Sequence, residues 1–230
     1  MIENPLAISF GESITTEVSG CVTDFAEIGL DSVMEDGLLK EIPFLSTAVS
    51  IYRIGQSIHE RNHIAKLAAF LNRINEGILS EDDRRLYQEK FRTNAKFRER
   101  ELEYILILID RYINKDKAKL LATLYLSYLD EEIDWTRFAE FSEIIDRLLP
   151  ADFDCLFEFM CHGGVALEKT KIEIASVLRL LAVGFVSQEQ PAVNALLGMN
   201  KPRDSMDYLI TDYGREFVKI FEADIRAAHK

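Results

Sequence analysis

Apolar side chains recur at helical spacing through most of this chain, and helix-stopping or helix-capping residues stand between the runs. Residues 57 to 75 show it best, with Ile64, Leu67, Ala68, Leu71 and Ile74 on one stripe and Gly77 beyond its end. Residues 21 to 35 carry Val22, Phe25, Ile28 and Val33 near one face before Asp36-Gly37 breaks the run. Leu38 to Ile54 is the least polar long segment; its Pro43 suits a first helical turn, and Gly55 weakens its end. Ser80-Glu-Asp-Asp83 has the form of a capping box, so a helix or a broken pair is expected from there to about Ile113. Helices are expected at 115 to 129 and at 134 to 148, the latter capped by Asp134 and ended by Pro150, with a short piece at 151 to 161. Residues 1 to 19 have few large apolar groups and read as a loose, acidic N-terminus.

Gly163-Gly164 marks a boundary, and the texture changes after it. Residues 170 to 183 read as a helix, 187 to 206 as a polar loop, and Tyr208-Leu-Ile210 as a short strand. A final amphipathic helix starts from a Thr211 cap and runs through Phe221 and Ile225. The expectation is a mainly α protein: a multi-helix domain over 20 to 162 and a small unit over 165 to 230.

With 48% hydrophobic residues in 230, the chain can bury a sizeable core. Its net charge of −12 is uneven: eight acids and no Lys or Arg precede Lys40, and residues 130 to 158 hold ten acids against Arg137 and Arg147. Both regions repel phosphate, so nucleic acid is an unfavoured partner. The bases of 84 to 100 (Arg84, Arg85, Lys90, Arg92, Lys96, Arg98, Arg100) are interleaved with acids and read as a solvated helix face. Cys21, Cys155 and Cys161 form no CxxC pair and read as buried thiols of a reducing compartment. The N-terminus lacks the basic start and apolar run of a secretory signal, and no stretch reaches the ~18 apolar residues of a spanning helix. A cytoplasmic location is expected.

His59-Glu60-Arg61-Asn62-His63 matches H-E-x-x-H. Histidines at i and i+4 share a helix face and reach one zinc, while the glutamate acts on the metal-bound water. A zinc hydrolase would therefore use His59 and His63 as ligands and Glu60 as base. Against this, Arg61 puts a cation beside the site and no third histidine follows at a family spacing. Extending the apolar stripe backwards at ~100° per residue places Glu60 near its centre and His63 about 60° away. The reading favoured here is a polar helix start with a coincidental motif. Cys155, Cys161 and His162 have unspecific spacing for a metal, and Asp130-Glu131-Glu132-Asp134 reads as a solvated loop with a cap rather than a calcium loop.

Two resemblances add to this. The run Tyr208-Leu-Ile-Thr-Asp-Tyr-Gly-Arg-Glu-Phe-Val218, after the helix and Gly184-Phe-Val186, resembles the closing half of a winged-helix unit, in which a wing strand enters a Thr-capped helix with Gly three residues after Thr. Winged helices often bind DNA. Here nine bases face nine acids from Val165 to Lys230, which favours scaffold or protein contact. The segments Ile28 to Phe44, Ser57-Ile58, Ala65-Lys-Leu-Ala-Ala-Phe-Leu71, Ile107-Leu-Ile-Asp-Arg-Tyr112, Lys117-Ala-Lys-Leu-Leu121 and Ile144-Ile-Asp-Arg147 resemble a group of uncharacterised bacterial helical proteins. Related abortive-infection proteins are associated with phage defence, and members of the group usually carry other residues where His59 and His63 stand.

The function these readings favour is a non-enzymatic protein-interaction or regulatory module with a protein partner, in defence against phage or mobile elements. One alternative is a membrane-perturbing effector acting through residues 38 to 54, where Lys40, Glu41 and Arg53 oppose insertion. The other is the zinc hydrolase.

Overall fold

A computed structural model describes residues 9–11, 13–14, 58–76, 89, 95–162, 164–166, 172–188 and 207–228. The segments 21 to 35 and 38 to 54, the Ser80 capping box and most of the 84 to 100 basic run lie outside the described residues. The chain divides into two compact units, Met1–Ser142 and Glu143–Lys230.

In the first unit α1 (Ile58–Glu76), α2 (Ala95–Arg111) and α3 (Lys115–Leu129) are followed by α4 (Trp135–Arg147), which runs across the division. Helix α1 packs most extensively along α3 and also against α2. Its buried stripe is Ile64, Leu67, Leu71 and Ile74, the residues whose spacing the sequence displays. They meet a core that includes Ile105, Leu108 and Ile109 of α2 and Leu121, Leu124 and Tyr125 of α3, all buried. The rest of 1 to 19 lies outside the described residues, but residues 9–11 and 13–14, within that stretch expected above to be loose, are helical. The reason is a one-turn pair: Phe10 and Ile14 are both buried, and the Phe10 ring lies 5.5 Å from that of Phe70.

The two ends of α3 and the start of α4 are set by local polar contacts and one left-handed residue. Asn114 caps the start of α3, its Oδ1 accepting the Asp116 amide at 2.9 Å. At the other end Glu131 has φ 61°. Its amide donates to the Tyr128 carbonyl and the Glu132 amide to that of Ser127, the paired bonds of a Schellman ending. Asp134 then caps α4 by accepting the Arg137 amide at 2.8 Å. Buried Ile133 and Phe138 hold the N′ and N4 positions of a hydrophobic staple. Because Glu131 sits where glycine is favoured, Glu131→Gly is expected to stabilise the chain by about 0.5–1 kcal/mol, read from the shift in denaturant midpoint at constant slope.

The second unit contains α5 (Pro150–His162), β1 (Gly164–Ala166), α6 (Ile174–Ala182), β2 (Val186–Gln188), β3 (Asp207–Ile210) and α7 (Asp212–Ala228). The strands form one antiparallel sheet in the order β1-β3-β2, with Val165 opposite Tyr208 and Ser187 opposite Leu209. Tyr208 and Ile210 are buried and Leu209 between them is exposed, the alternation of a sheet covered on one face. Helix α5 packs against α6, α7, β1 and β3, so this helix before Gly163-Gly164 belongs with the sheet. Helix α6 starts four residues later than the sequence pattern suggests, at Ile174. It ends in a second Schellman turn: Gly184 has φ +80°, its amide donates to Leu181 and that of Phe185 to Leu180. The core joins Leu156 and Phe159 of α5, Val177 and Leu180 of α6, and Phe217 and Phe221 of α7. The Phe217 ring lies 4.6 Å from both Phe185 and Phe221.

Candidate functional site

The H-E-x-x-H string opens α1, and His59, Asn62 and His63 meet the C-terminal end of α2. His59 is exposed, Glu60 is half-buried and His63 is buried, so it is His63, one turn before Leu67, that extends the inward stripe. The phase expected above, with Glu60 near the centre, is shifted by less than one turn. His63 Nδ1 stands 3.2 Å from Asp110 Oδ1, and His59 Nε2 stands 4.0 Å from the same oxygen. Asn62 Nδ2 donates to the Ile113 carbonyl at 3.2 Å.

One turn further on, Lys66 is only 2% exposed. Its Nζ donates to the carbonyl oxygens of Asp110 at 2.7 Å and Tyr112 at 2.6 Å. These are carbonyls that the ending helix leaves without intrahelical partners, and a cation there also meets the negative end of the helix dipole. Positions 59, 62, 63 and 66 therefore form a polar stripe on α1 that grips the end of α2. Burial lowers the Lys66 pKa from its ordinary value, with Asp110 opposing the shift. Burial also lowers the pKa of His63; the Asp110 carboxylate works against this, while Lys66 and His59 add to it. Lys66→Met is expected to cost about 2 kcal/mol, since both charge-assisted bonds to the α2 end are lost, measurable by urea unfolding.

As a metal centre the stripe has two histidines and one carboxylate in one neighbourhood, with an ammonium on the same helix face. Among the described residues no group of three His, Cys, Asp or Glu side chains is arranged to hold a metal ion. Cys155 is buried, its thiol pushed up to about 11 by desolvation and nearby acids, Asp152 first, which makes it a poor nucleophile. Cys161 is exposed, which corrects the expectation of a buried thiol; it sits in the last turn of α5, beyond the face that carries Cys155, Leu156 and Phe159. His162 Nε2 lies 3.4 Å from Glu158 Oε2, a surface i,i+4 pair. Cys21 lies outside the described residues. Asp130, Glu131, Glu132 and Asp134 are exposed and serve the helix joint described above.

The second unit presents a different feature, on α6. Its inner face carries Ser176, Val177 and Leu180, all buried. Arg179 reaches from it to Asp152 of α5, with Nη2 at 2.7 Å and Nε at 3.0 Å from Oδ1, and Nε at 2.8 Å from Oδ2. Arg179 Nη2 also donates to Ser176 Oγ at 3.1 Å. Asp152 is fully buried and in addition accepts the Leu149 amide at 2.7 Å, the reaching-back bond of a capping box at the start of α5. Burial alone pushes the Asp152 carboxyl up, and the bonds from Arg179, Leu149 and Ser176 outweigh it, so its pKa lies below the ordinary carboxylate value. The outer face of this anchored helix is apolar as well: Ile174 is 48% exposed and Leu178, one turn on, 51%. No helix among the described residues is long and apolar enough to cross a membrane. Residues 38 to 54, the segment invoked for membrane action, lie outside the described residues.

Sequence reasoning had the histidines and Asp134 but passed over Lys66, Asp110, Asp152 and Arg179. The i+3 and i+7 continuation of the His59 stripe to Asn62 and Lys66 is visible in the sequence as a polar row beside an apolar one. Nothing local marks Asp152 and Arg179 as a pair, since 27 residues separate them. Comparison of the chain with protein-family models, with curated proteins and with solved structures gives no match.

Proposed function

We propose that this chain is a non-catalytic protein-interaction module and that α6 is its contact element. The observation that carries this is the pair Ile174 and Leu178, large apolar side chains half in water on a helix whose other face is buried and tied down by Arg179. Apolar residues at i and i+4 on a rigid helix suit a protein partner's apolar groove or helix. Several features support a winged-helix reading of the unit: the β1-β3-β2 order, α6 leading into β2, and β3 entering the Thr211-capped α7. In a DNA-binding unit the exposed helix offers cations and donors to phosphate and bases. Here the exposed side of α6 offers Ile and Leu, and its arginine is engaged by Asp152. Protein contact is therefore favoured over DNA. Defence against phage or mobile elements is the setting that the resemblance to abortive-infection proteins suggests.

The test places a photo-crosslinking side chain at position 178, with exposed position 219 on α7 as control, in cells of a bacterial host. One discrete protein adduct at 178, absent at 219 and abolished by Ile174→Glu, is the expected result. Because positions 174 and 178 are exposed, their replacement is expected to change stability by no more than about 0.5 kcal/mol. Absence of any adduct at 178, together with tight binding of duplex DNA in fluorescence anisotropy at physiological salt, would sink the reading.

A further inference from the structure

The outward arc of α6 is wider than Ile174 and Leu178 and holds no ionisable or polar side chain. Counted at ~100° per residue from Leu178, Ile174 and Ala182 lie about 40° to either side, and Ala175 and Leu181 about 60°. Ala182 is exposed, and Ala175 and Leu181 are half-buried. Arg179 lies about 100° round and is engaged by Asp152, while Glu173 precedes the first turn and lies farther round still. The chain carries a net charge of −12, so two copies repel each other through their overall fields. That repulsion is least where the meeting faces hold no charge. Such an arc also offers an oppositely charged partner nothing to recognise.

We infer that α6 pairs with α6 of a second copy of this chain, antiparallel, about a two-fold axis at Leu178. The inference rests on the reading of α6 as the contact element and names its occupant. A two-fold interface has to be complementary to itself, so each contact is made twice, once from either side. Leu178 is the midpoint of the arc: Ile174 and Ala175 stand four and three residues before it, Leu181 and Ala182 three and four after it. In the antiparallel pair Leu178 meets its own copy, Ile174 meets Ala182 of the partner subunit, and Ala175 meets the partner's Leu181. Each flanking contact sets a large side chain against a small one, which lets the two helices interdigitate. A parallel pair would instead set Ile174 against its copy at one end and Ala182 against its copy at the other, a collision and a gap. The steps from 174 to 178 to 181 are also the four-three alternation of a helix-pair seam. With nine residues, α6 is about 13 Å long, and its arc covers less than the ~800 Å² per partner of a standard interface. The dimer is accordingly weak and depends on concentration.

Sedimentation velocity of the full chain at physiological salt, from about 1 to 100 μM, tests this. The mass is expected to move from one chain towards two. Leu178→Glu sets two like charges across the axis and is expected to weaken the dimer at least about a hundredfold, with an unchanged thermal midpoint. Disulfide trapping then reads the geometry, after exposed Cys161 is replaced by serine. Leu178→Cys should link to its own copy under mild oxidation, and the chain without an added cysteine should not. Ile174→Cys should link efficiently when mixed with Ala182→Cys and poorly by itself. A single-chain mass up to 100 μM, a dimer that survives Leu178→Glu, or self-linking of Ile174→Cys as efficient as that of Leu178→Cys would each overturn the inference. If the chain stays single while position 178 captures a different protein in cells, the inference fails and the contact role of α6 stands. If position 178 captures nothing and the chain stays single, both fail.

Discussion

Arg179→Leu is expected to destabilise the second unit by about 3–5 kcal/mol, the cost of leaving a buried charge without its partner. Asp152 is fully buried and Arg179 supplies three hydrogen bonds to it beside those of Leu149 and Ser176, so the variant keeps the desolvation cost and loses most of what offsets it. Arg179→Lys should fall in between, because an ammonium keeps the charge but not the two-pronged geometry. The pH dependence should reverse sign. In the native chain the Asp152 pKa lies below its ordinary 3.8, so its contribution is fully present above that value and is lost only as pH falls through the folded pKa. In Arg179→Leu the same carboxyl is buried without its guanidinium, and its folded pKa moves above the ordinary value. The variant should then gain stability from pH 7 to pH 5, where the native chain gains nothing from this group. Denaturant midpoints of both proteins at the two pH values decide the matter. A loss under about 1 kcal/mol would show that the pair contributes no more than an exposed one, contrary to the burial described here. Equal pH slopes would show that Asp152 escapes to solvent in the variant.

Gly214→Ala is the second large effect, expected at about 3 kcal/mol, the upper end for overpacking. A methyl group on Gly214 would sit 2.4 Å from the Phe185 carbonyl oxygen and 3.1 Å from both the Phe185 carbonyl carbon and Ile210 Cγ1. Two of these neighbours are backbone atoms and cannot rotate away. The closeness has a purpose in the fold. Thr211 donates its amide to Phe185 O at 2.9 Å, and its Oγ1 lies 2.7 Å from Gly184 O and 3.1 Å from Phe185 O, so its one proton serves either carbonyl. The same Oγ1 accepts the Gly214 amide at 3.0 Å, which caps α7. The start of α7 is thus pinned onto the turn that ends α6, and any Cβ at 214 forces the two apart. Gly184 is the informative contrast. Its φ of +80° disfavours other residues, yet a Cβ there would meet only Tyr213 Cδ1 at 4.0 Å. Gly184→Ala should therefore cost about 1–2 kcal/mol, from backbone conformation alone. Thermal unfolding of the two variants should rank Gly214→Ala as the less stable; the reverse order would mean that α7 shifts freely and that the Thr211 pin is weak.

What the sequence determined by itself was whatever depends on neighbours within one or two helical turns. Helices α3 and α4 lie within a residue of where apolar spacing put them, with the Asp134 cap where expected, and Thr211 with Gly214 marks the start of α7. Each of these follows from a side chain acting on its own backbone, and that information is carried in the local order of residues. Periodicity also showed that the first turns of α1 carry a polar row, but a row can be rotated by a fraction of a turn at little local cost. Whether Glu60 or His63 faced inward was decided by the carbonyl end of α2 and by Asp110, which lie about fifty residues away in the chain. Tertiary structure alone also joined Asp152 to Arg179, added β1 and β2 on either side of β3, placed Cys161 in water, and left Ile174 and Leu178 outside while burying Val177 and Leu180. A helix apolar on two faces does not reveal from its sequence which face the core takes. That choice is made by the elements that pack against it, here α5 and β2 together with the single carboxylate that Arg179 reaches.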